Sequence, residues 1–404
     1  MNTIRIPNIL LPQKGTDMNA YSVVACDQFT SQVEYWDFLK NSIGEKPSTF
    51  HMIFPEAYLD KVDKNEYTKN INSNIENYLK NGILIDAGEC FILVERITSY
   101  GVKRLGLILS VDLEDYSYDP NSDALIRASE ATIVERIPPR LSVRKDSPIE
   151  LPHALLLFEN KEKNIIENLY KNKEKYELVY DFDLNQNGGH IRGFKISNCE
   201  EVKKQFYDLY KKNNNGLLFV VGDGNHSLAT AKAHWEIVKK TLSENEIEDH
   251  PARYALVEVN NVYDDGITFE PIHRVLFNIN DEKIDEFISK MEGENNGCCI
   301  YKNNGKIALK TPKNAAKTYQ IVQNALDEML ENNKEISIDF IHDEESLIEV
   351  VSKSKNAVGI VMPSIGKGDI FDFVADHGVL PRKSFSMGHA SEKRYYLEAK
   401  MIRK

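Results

Sequence analysis

Residues 217–236 read LLFVVGDGNHSLATAKAHWE, with an apolar run and a helix-forming run on either side of a glycine-rich polar junction. Leu217 to Val221 form an apolar run of strand length. Leu228, Ala229, Ala231, Lys232, Ala233 and Trp235 are good helix material. A buried strand therefore feeds a helix through six residues, Gly222 to Ser227. Two glycines around an acid, followed by Asn-His at a helix start, exceed what a turn needs.

The first N–H groups of a helix lack intrahelical partners, and the aligned peptide dipoles place about half a positive charge there. An anion is stabilised at such an end. Gly222 and Gly224 permit positive φ angles and close approach of a ligand, Asp223 or Asn225 can cap the helix, and His226 can exchange a proton near neutral pH. Ala229 and Ala233 leave a shallow face for close packing.

Outward from this junction, strand-like and helix-like segments alternate. EYWDFLKNSI, NEYTKNINSNIENYLKNGIL, NIIENLYKN and EEVKKQFYDLYKK have helical spacing, while ECFILVERIT, VKRLGLILSVDL, HALLLF, YELVYDF and ARYALVEVNNV are strand-like. RIPNILLP and YSVVAC read as extended, and DLNQNGGH as a polar loop. SDALIRASEATIVERI reads as a helix opened by Ser122 or Asp123 and stopped by Pro138 and Pro139. Beyond residue 280 come an acidic helix, the hairpin CCIYKNNGKIALK with an Asn-Asn-Gly turn, helix NALDEMLENN, strand ISIDFIH, helix ESLIEVVSK and strand AVGIVMP. The expected fold is mixed α/β, sheets flanked by helices. A main domain spans 1–280, and a smaller C-terminal α/β layer spans 281–404 and returns its LPRKSFSMG loop to the cleft.

Composition narrows the function classes. The 404 residues carry a net charge of −12, which repels phosphate backbones and disfavours nucleic acid as a partner. Five scattered cysteines without a CxxC pair fit a reducing compartment, and Cys26 reads as a small buried hydrophobe. No apolar run approaches the roughly 20 residues that cross a bilayer, and the N-terminal run is too short for a signal peptide. A cytoplasmic protein acting on a small molecule is expected; oligomeric state is not legible.

Two nucleotide motifs bear on the junction. A P-loop needs Lys followed by Ser or Thr after its last glycine, and neither follows Gly224. Gly222-x-Gly224-x-x-Ser227 approaches a dinucleotide fingerprint, but Glu258 lies beyond the spacing at which an acid holds a ribose, and Asp223 and His226 would crowd a pyrophosphate. Further polar groups fall in expected loops: Arg127, Glu130, Arg136 and Arg140 in LIRASEATIVERIPPR, His273 and Arg274 in FEPIHRVLF, and Arg382, Lys383, Ser384 and Ser386 in LPRKSFSMGH. Such cations clamp phosphates or carboxylates. Asp223, His226 and His273 are candidate metal ligands, without any HExxH, paired Cys-His or DxDxDG spacing.

YSVVACDQFTSQVEYW, RASEATIVERIPPRL, NGGHIRG, GDGNHSLATAKAHWE, PIHRVL, IHDEESLIEVV and LPRKSFSMG stand in the order found in the bacterial family numbered 1015 among domains of unknown function, which the chain resembles along nearly its whole length. Locally, Asp223, Gly224 and His226 resemble the Asp-Gly-x-His-Arg element of ParB-like, sulfiredoxin-like and free-serine-kinase proteins. In that group the element binds nucleotide phosphates at a helix start. Ser227 departs from the pattern, so the resemblance implies that Arg136, Arg274, Arg382 or Lys383 supplies the missing cation.

Together these readings point to phosphoryl transfer from ATP or ADP, with magnesium, to a small hydroxylated metabolite. Backbone at Gly222, Gly224, Asn225 and Ser227 would hold phosphate oxygens, basic side chains would neutralise charge, and Asp223 or His226 would take the acceptor's proton or orient the metal. A non-catalytic sensor of nucleotides or acidic metabolites, and a phosphoester or amide hydrolase, are the alternatives.

Overall fold

The computed structural model describes residues 2–294, 297–302 and 305–404. The chain forms two compact units. The first comprises the residues up to Ala128, Thr132–Ile267 and His389–Lys404; the second comprises Ser129–Ala131 and Thr268–Gly388.

Among the described residues, the first unit is built on a ten-stranded mixed sheet. Across it run Glu177–Leu184, Gly189–Ile196, Phe91–Ile97, Lys103–Asp112, Tyr254–Asn261, Leu155–Phe158, Phe219–Asp223, Ile126–Ala128 and Tyr116–Ser117, with Ile4–Arg5 paired to Lys103–Asp112. The first five are antiparallel neighbours. Leu155–Phe158 then runs parallel to Tyr254–Asn261 and antiparallel to Phe219–Asp223, which is itself parallel to Ile126–Ala128.

The central strands carry continuous apolar runs, Phe91–Val94, Leu107–Leu109 and Leu155–Phe158, because both faces of the sheet are covered. Leu93, Leu107, Leu109 and Val257 pack on one side with Phe206, Phe219 and Trp235. Ile92, Val94, Ile108 and Leu256 pack on the other with Tyr21, Trp36, Ile71 and Leu397. Each face thus carries one of the chain's two tryptophans.

The C-terminal segment is fastened by buried charges rather than by a long strand. Arg394 Nη1 lies 3.0 Å from Glu258, Tyr180 donates to Glu398 at 2.5 Å, and Arg96 donates to the Ser391 carbonyl at 3.1 Å. Glu258 is 1% exposed and held in this network, so it is not placed to meet a ribose.

The second unit has a five-stranded antiparallel sheet in the order Gly305–Ala308, Cys299–Lys302, Ala357–Val361, His273–Phe277 and Ser337–Ile341. Asp281–Ser289, Ala315–Asn332, Glu344–Lys353 and Asp369–His377 are its helices among the described residues. Val275, Leu347, Val351, Ala357 and Val361 form one core of this unit. The turn expected at Asn303-Asn304 lies outside the described residues.

Three local expectations are corrected. Residues 122–137 are not a helix: Ile126–Ala128 is a strand between Phe219–Asp223 and Tyr116–Ser117, and Pro138 and Pro139 sit in the first turn of the helix Ile137–Arg144. Proline needs no N–H partner there, so it starts this helix instead of stopping one. FEPIHRVLF is not a loop but two strands, Phe269–Pro271 and His273–Phe277. Phe385–Met387, within the expected LPRKSFSMGH loop, pairs with Phe269–Pro271.

Candidate functional site

The strand Phe219–Asp223 passes into the helix Asn225–Lys239 with Gly224 as its cap residue. Pairing with Leu155–Phe158 slips between Val221 and Asp223, so Gly222 lies at an irregularity in the ladder. Gly224 has φ +79°, and a Cβ built on it would lie 2.8 Å from Ala154 Cα and 3.0 Å from His153 Cδ2. Its lack of a side chain is therefore required by the protein's own packing. The helix carries no acidic residue in its first turn, and its N-cap, Gly224, makes no side-chain capping bond.

Asp223 does not cap the helix. Its Oδ1 accepts from the Gly224 N–H at 2.9 Å, and its Oδ2 pairs at 3.0 Å with Lys393, a residue from the C-terminal segment. His226 Nε2 accepts from the Ile133 N–H at 3.2 Å, which requires a neutral imidazole protonated at Nδ1. Burial, reinforced by Arg140 and Arg136, lowers the His226 pKa to about 4. The proton exchange near neutral pH expected of His226 is therefore replaced by a hydrogen-bond acceptor role.

Residues that the sequence reading passed over complete the site. The ring of His153 that lies against Gly224 turns its Nε2 to Asp27 Oδ2 at 3.3 Å and its Nδ1 to Tyr396 Oη at 2.5 Å. Gln28 Nε2 donates to the other Asp27 oxygen at 2.9 Å, and Trp36 Nε1 holds the Gln28 carbonyl at 3.1 Å. Burial opposes charge on Asp27, but His153, Gln28 and Lys393 outweigh it and hold the carboxyl well below the usual range. The same balance, with burial outweighed by Tyr396 and Asp27, raises His153 well above the ordinary histidine value. Glu56 pairs with Arg140 and donates its N–H to the Cys26 carbonyl at 2.8 Å; burial, opposed by Arg140, raises its pKa.

Three weak signals in the sequence mark these residues. Asp27 follows the apolar run VVAC, His153 stands between Pro152 and the strand HALLLF, and Lys393 opens the charged-aromatic run KRYY. None has a motif spacing, because the cluster joins positions about 27, 56, 153, 223 and 393 that only the fold brings together.

Most of the other predicted residues have structural partners. Arg127 Nε donates to the Ala124 carbonyl at 2.9 Å, and Arg136 is exposed with its carbonyl accepting from Arg140 at 3.0 Å. In the second unit, His273 is a buried strand residue whose Nδ1 accepts from the Met362 N–H at 3.1 Å; burial lowers its pKa. Arg274 is fully buried, donates to the Ile272 carbonyl, and stacks over Tyr319 and Phe340 at 5.0 and 5.4 Å. Burial lowers its pKa too. Both point into their own core, so the loop placement expected for them does not hold.

Glu130 accepts from the backbone N–H groups of Lys383, Ser384 and Phe385 at 3.2, 3.0 and 3.3 Å. Burial, opposed by those bonds, raises its pKa to about 7. Ser384 Oγ donates to the Pro381 carbonyl at 2.7 Å, and Lys383 Nζ lies 5.0 Å from the Phe340 ring centre. Arg382 is exposed. Among the described residues, no group of three His, Cys, Asp or Glu side chains could hold a metal ion, and no helix is long and apolar enough to cross a membrane.

Comparison with curated proteins gives no match. Among solved structures, a free serine kinase in complex with AMP shares 10% identity, with 73% of this chain and 92% of that chain covered and a TM-score of 0.41. A conserved hypothetical protein from Pyrococcus furiosus shares 10% identity, covering 72% of this chain and 90% of the other at a TM-score of 0.35. SbnI with a C-terminal truncation, from Staphylococcus aureus, shares 10% identity at 70% and 82% coverage and a TM-score of 0.38. Residues 10–329 match the family described as Protein of unknown function (DUF1015), and the chain belongs to that family.

Proposed function

We propose that the first unit is a phosphoryl-transfer enzyme that moves phosphate from ATP or ADP to a small hydroxylated metabolite. One observation carries this reading: the imidazole of His153 lies between the helix start at Gly224 and the carboxylate of Asp27. An anion-accepting end and a fixed proton acceptor thus stand one ring apart.

In this reading the N–H groups of Asn225, His226 and Ser227 receive phosphate oxygens, with the helix dipole behind them. Arg136, Arg140 and Lys393 neutralise charge on the transferring group. The acceptor's hydroxyl oxygen forms a bond to the terminal phosphorus, the bond to the leaving nucleotide oxygen breaks, and the hydroxyl proton passes to Asp27. A strong base is not needed, since the transition state of such transfers is loose and the proton moves late. Asp223 holds Lys393 rather than the acceptor, and His226 braces the Ile133 backbone. Magnesium would come with the nucleotide and supply further charge neutralisation on its phosphates, since no group of side chains among the described residues forms a metal site.

Titration calorimetry with ATP, ADP and inorganic phosphate, paired with phosphorus NMR across a panel of hydroxylated metabolites, tests this. Asp27→Asn should bind nucleotide within a few-fold of the parent and lose transfer by a factor of about 100 or more. Absence of nucleotide and phosphate binding by the parent would refute the reading. Binding without transfer to any acceptor would favour a sensor, and release of phosphate to water a hydrolase.

A further inference from the structure

The hydrogen bonds around Tyr396 have a direction. Its oxygen receives the backbone N–H of Cys26 at 3.3 Å and donates its own proton to Cys26 Sγ at 3.3 Å. With that proton committed, the 2.5 Å contact to His153 Nδ1 is made only if Nδ1 carries a hydrogen. On the opposite edge of the ring, Nε2 faces a carboxylate oxygen of Asp27 at 3.3 Å, an acceptor that also requires a hydrogen on the nitrogen.

We propose that Tyr396 and His153 are positioning residues, a wired pair that keeps both ring nitrogens of His153 protonated and so fixes Asp27 as an oriented anion. The chain of donors runs from Nε2–H to Asp27, from Nδ1–H to Tyr396, and from the tyrosine hydroxyl to Cys26. Each of these three contacts then has one donor hydrogen and one acceptor, and the His153 imidazolium and Asp27 carboxylate together carry no net charge into the interior.

The surroundings agree. His153 is faced by Asp27, Cys26, Glu56 and Tyr396, and Asp27 by Lys393, His226 and Glu56 as well as by His153. Glu56 is engaged by Arg140 and Asp223 by Lys393, which leaves Asp27 as the carboxylate in contact with the ring. Tyr396 belongs to the C-terminal segment, beyond residues 10–329 that match the family. The inference therefore adds Tyr396 to Lys393 as a second residue that the C-terminal segment supplies to a site otherwise built from the first two thirds of the chain. It rests on Asp27 being the site's proton acceptor, but its test does not depend on turnover.

Ring nitrogen shifts of histidine-labelled full-length protein read the wiring directly. His153 should show two protonated nitrogens at pH 7.5 and keep them past pH 8. Tyr396→Phe removes the acceptor for Nδ1–H and should bring the titration down by about a unit or more. Cys26→Ala frees the tyrosine proton to turn toward Nδ1 and should act in the same direction, while Cys26→Ser keeps an acceptor and should restore the parent titration. A parent His153 that titrates near the ordinary histidine value would overturn the proposal, as would a Tyr396→Phe protein with an unchanged titration. Should Tyr396→Phe fail to fold, the parent curve and the Cys26 pair still decide. If the wiring holds and phosphate transfer is never found, the enzyme reading fails and this inference stands.

Discussion

Gly224→Ala is the sharpest perturbation of the junction, and its cost can be worked from the geometry. The residue sits at φ +79°, where an L side chain is strained by about 1–2 kcal/mol. The new Cβ would also lie 2.8 Å from Ala154 Cα, a backbone atom that cannot swing aside, and 3.0 Å from His153 Cδ2. Relieving such overpacking costs about 1–3 kcal/mol, so the total is about 2–5 kcal/mol. At about 2–4 °C per kcal/mol for a body of this size, the transition should fall by about 4–20 °C.

Gly101 supplies the control. It has φ +75° and nothing within 4 Å of its Cβ position, so Gly101→Ala should show the backbone strain alone. Urea unfolding followed by tryptophan fluorescence reads the first unit selectively, since Trp36 and Trp235 both belong to it. The difference between the two variants isolates the contact with His153 and Ala154. Equal losses would refute the account of Gly224 as a packing residue. A Val at 224, attractive from sequence alone as a block to ligand approach, would lose binding by unfolding the junction and so decide nothing.

Further outcomes follow from the same geometry. Lys393→Met leaves the Asp223 carboxylate, 28% exposed, without its cation and should cost about 1–3 kcal/mol; Asp223→Asn added to it should recover part of the loss, and strict additivity in the cycle would refute the pair. His226→Leu leaves the Ile133 N–H without its acceptor and should cost about 1–3 kcal/mol, more than His226→Asn, which offers an oxygen; the order of their unfolding midpoints checks this. His226 and His234 both have pKa values lowered to about 4, chiefly by burial, so the unfolded chain binds more protons than the folded one between that value and about 6.5. Their contribution is complete above this window and is lost as pH falls through it, which the urea midpoint against pH should show and His226→Asn should flatten. Glu130 has the opposite sign, since its pKa is raised to about 7: its contribution is greatest at low pH and declines as pH rises through that value, so amide exchange at 383–385 should be slower at pH 5 than at pH 8 after correction for intrinsic rates.

The strands and long helices were legible because burial on both faces of the sheet writes continuous apolar runs such as Phe91–Val94 and Leu105–Leu109, and helices such as Lys64–Lys80 keep their spacing. What failed was context. Pro138 and Pro139 read as a stop only because Ile126–Ala128 was not recognised as a strand, and its parallel partner Phe219–Asp223 is some ninety positions away. His273 and Arg274 looked like ligand groups in a loop, since a charged pair in a strand interior is unexpected; tertiary partners, a backbone N–H for one and two aromatic faces for the other, make burial tolerable. The site was half legible. Gly222 to Ser227 announced itself by composition, but Asp27, His153 and Tyr396 meet it through contacts that leave no spacing to read.

These contacts also answer why the junction carries Gly-Asp-Gly-Asn-His. Gly224 lets the turn press against Ala154 and His153, Asp223 takes hold of Lys393 from the end of the chain, and His226 catches the Ile133 backbone. Each side chain, or its absence, is thus used to fasten a different distant segment. With Asp223 and His226 engaged in this way, the proposed contacts to phosphate fall to the main-chain amides of the first turn. The same fasteners bring in Asp27 through His153, so the charge that the amides would attract and the carboxylate that would receive a proton are set by one packing arrangement. A change at Gly224 that moves His153 should therefore disturb Asp27 as well, and the His153 ring shifts in a folded Gly224→Ala protein should move with the loss of stability. Unmoved shifts alongside a large loss would separate the two and confine Gly224 to the turn.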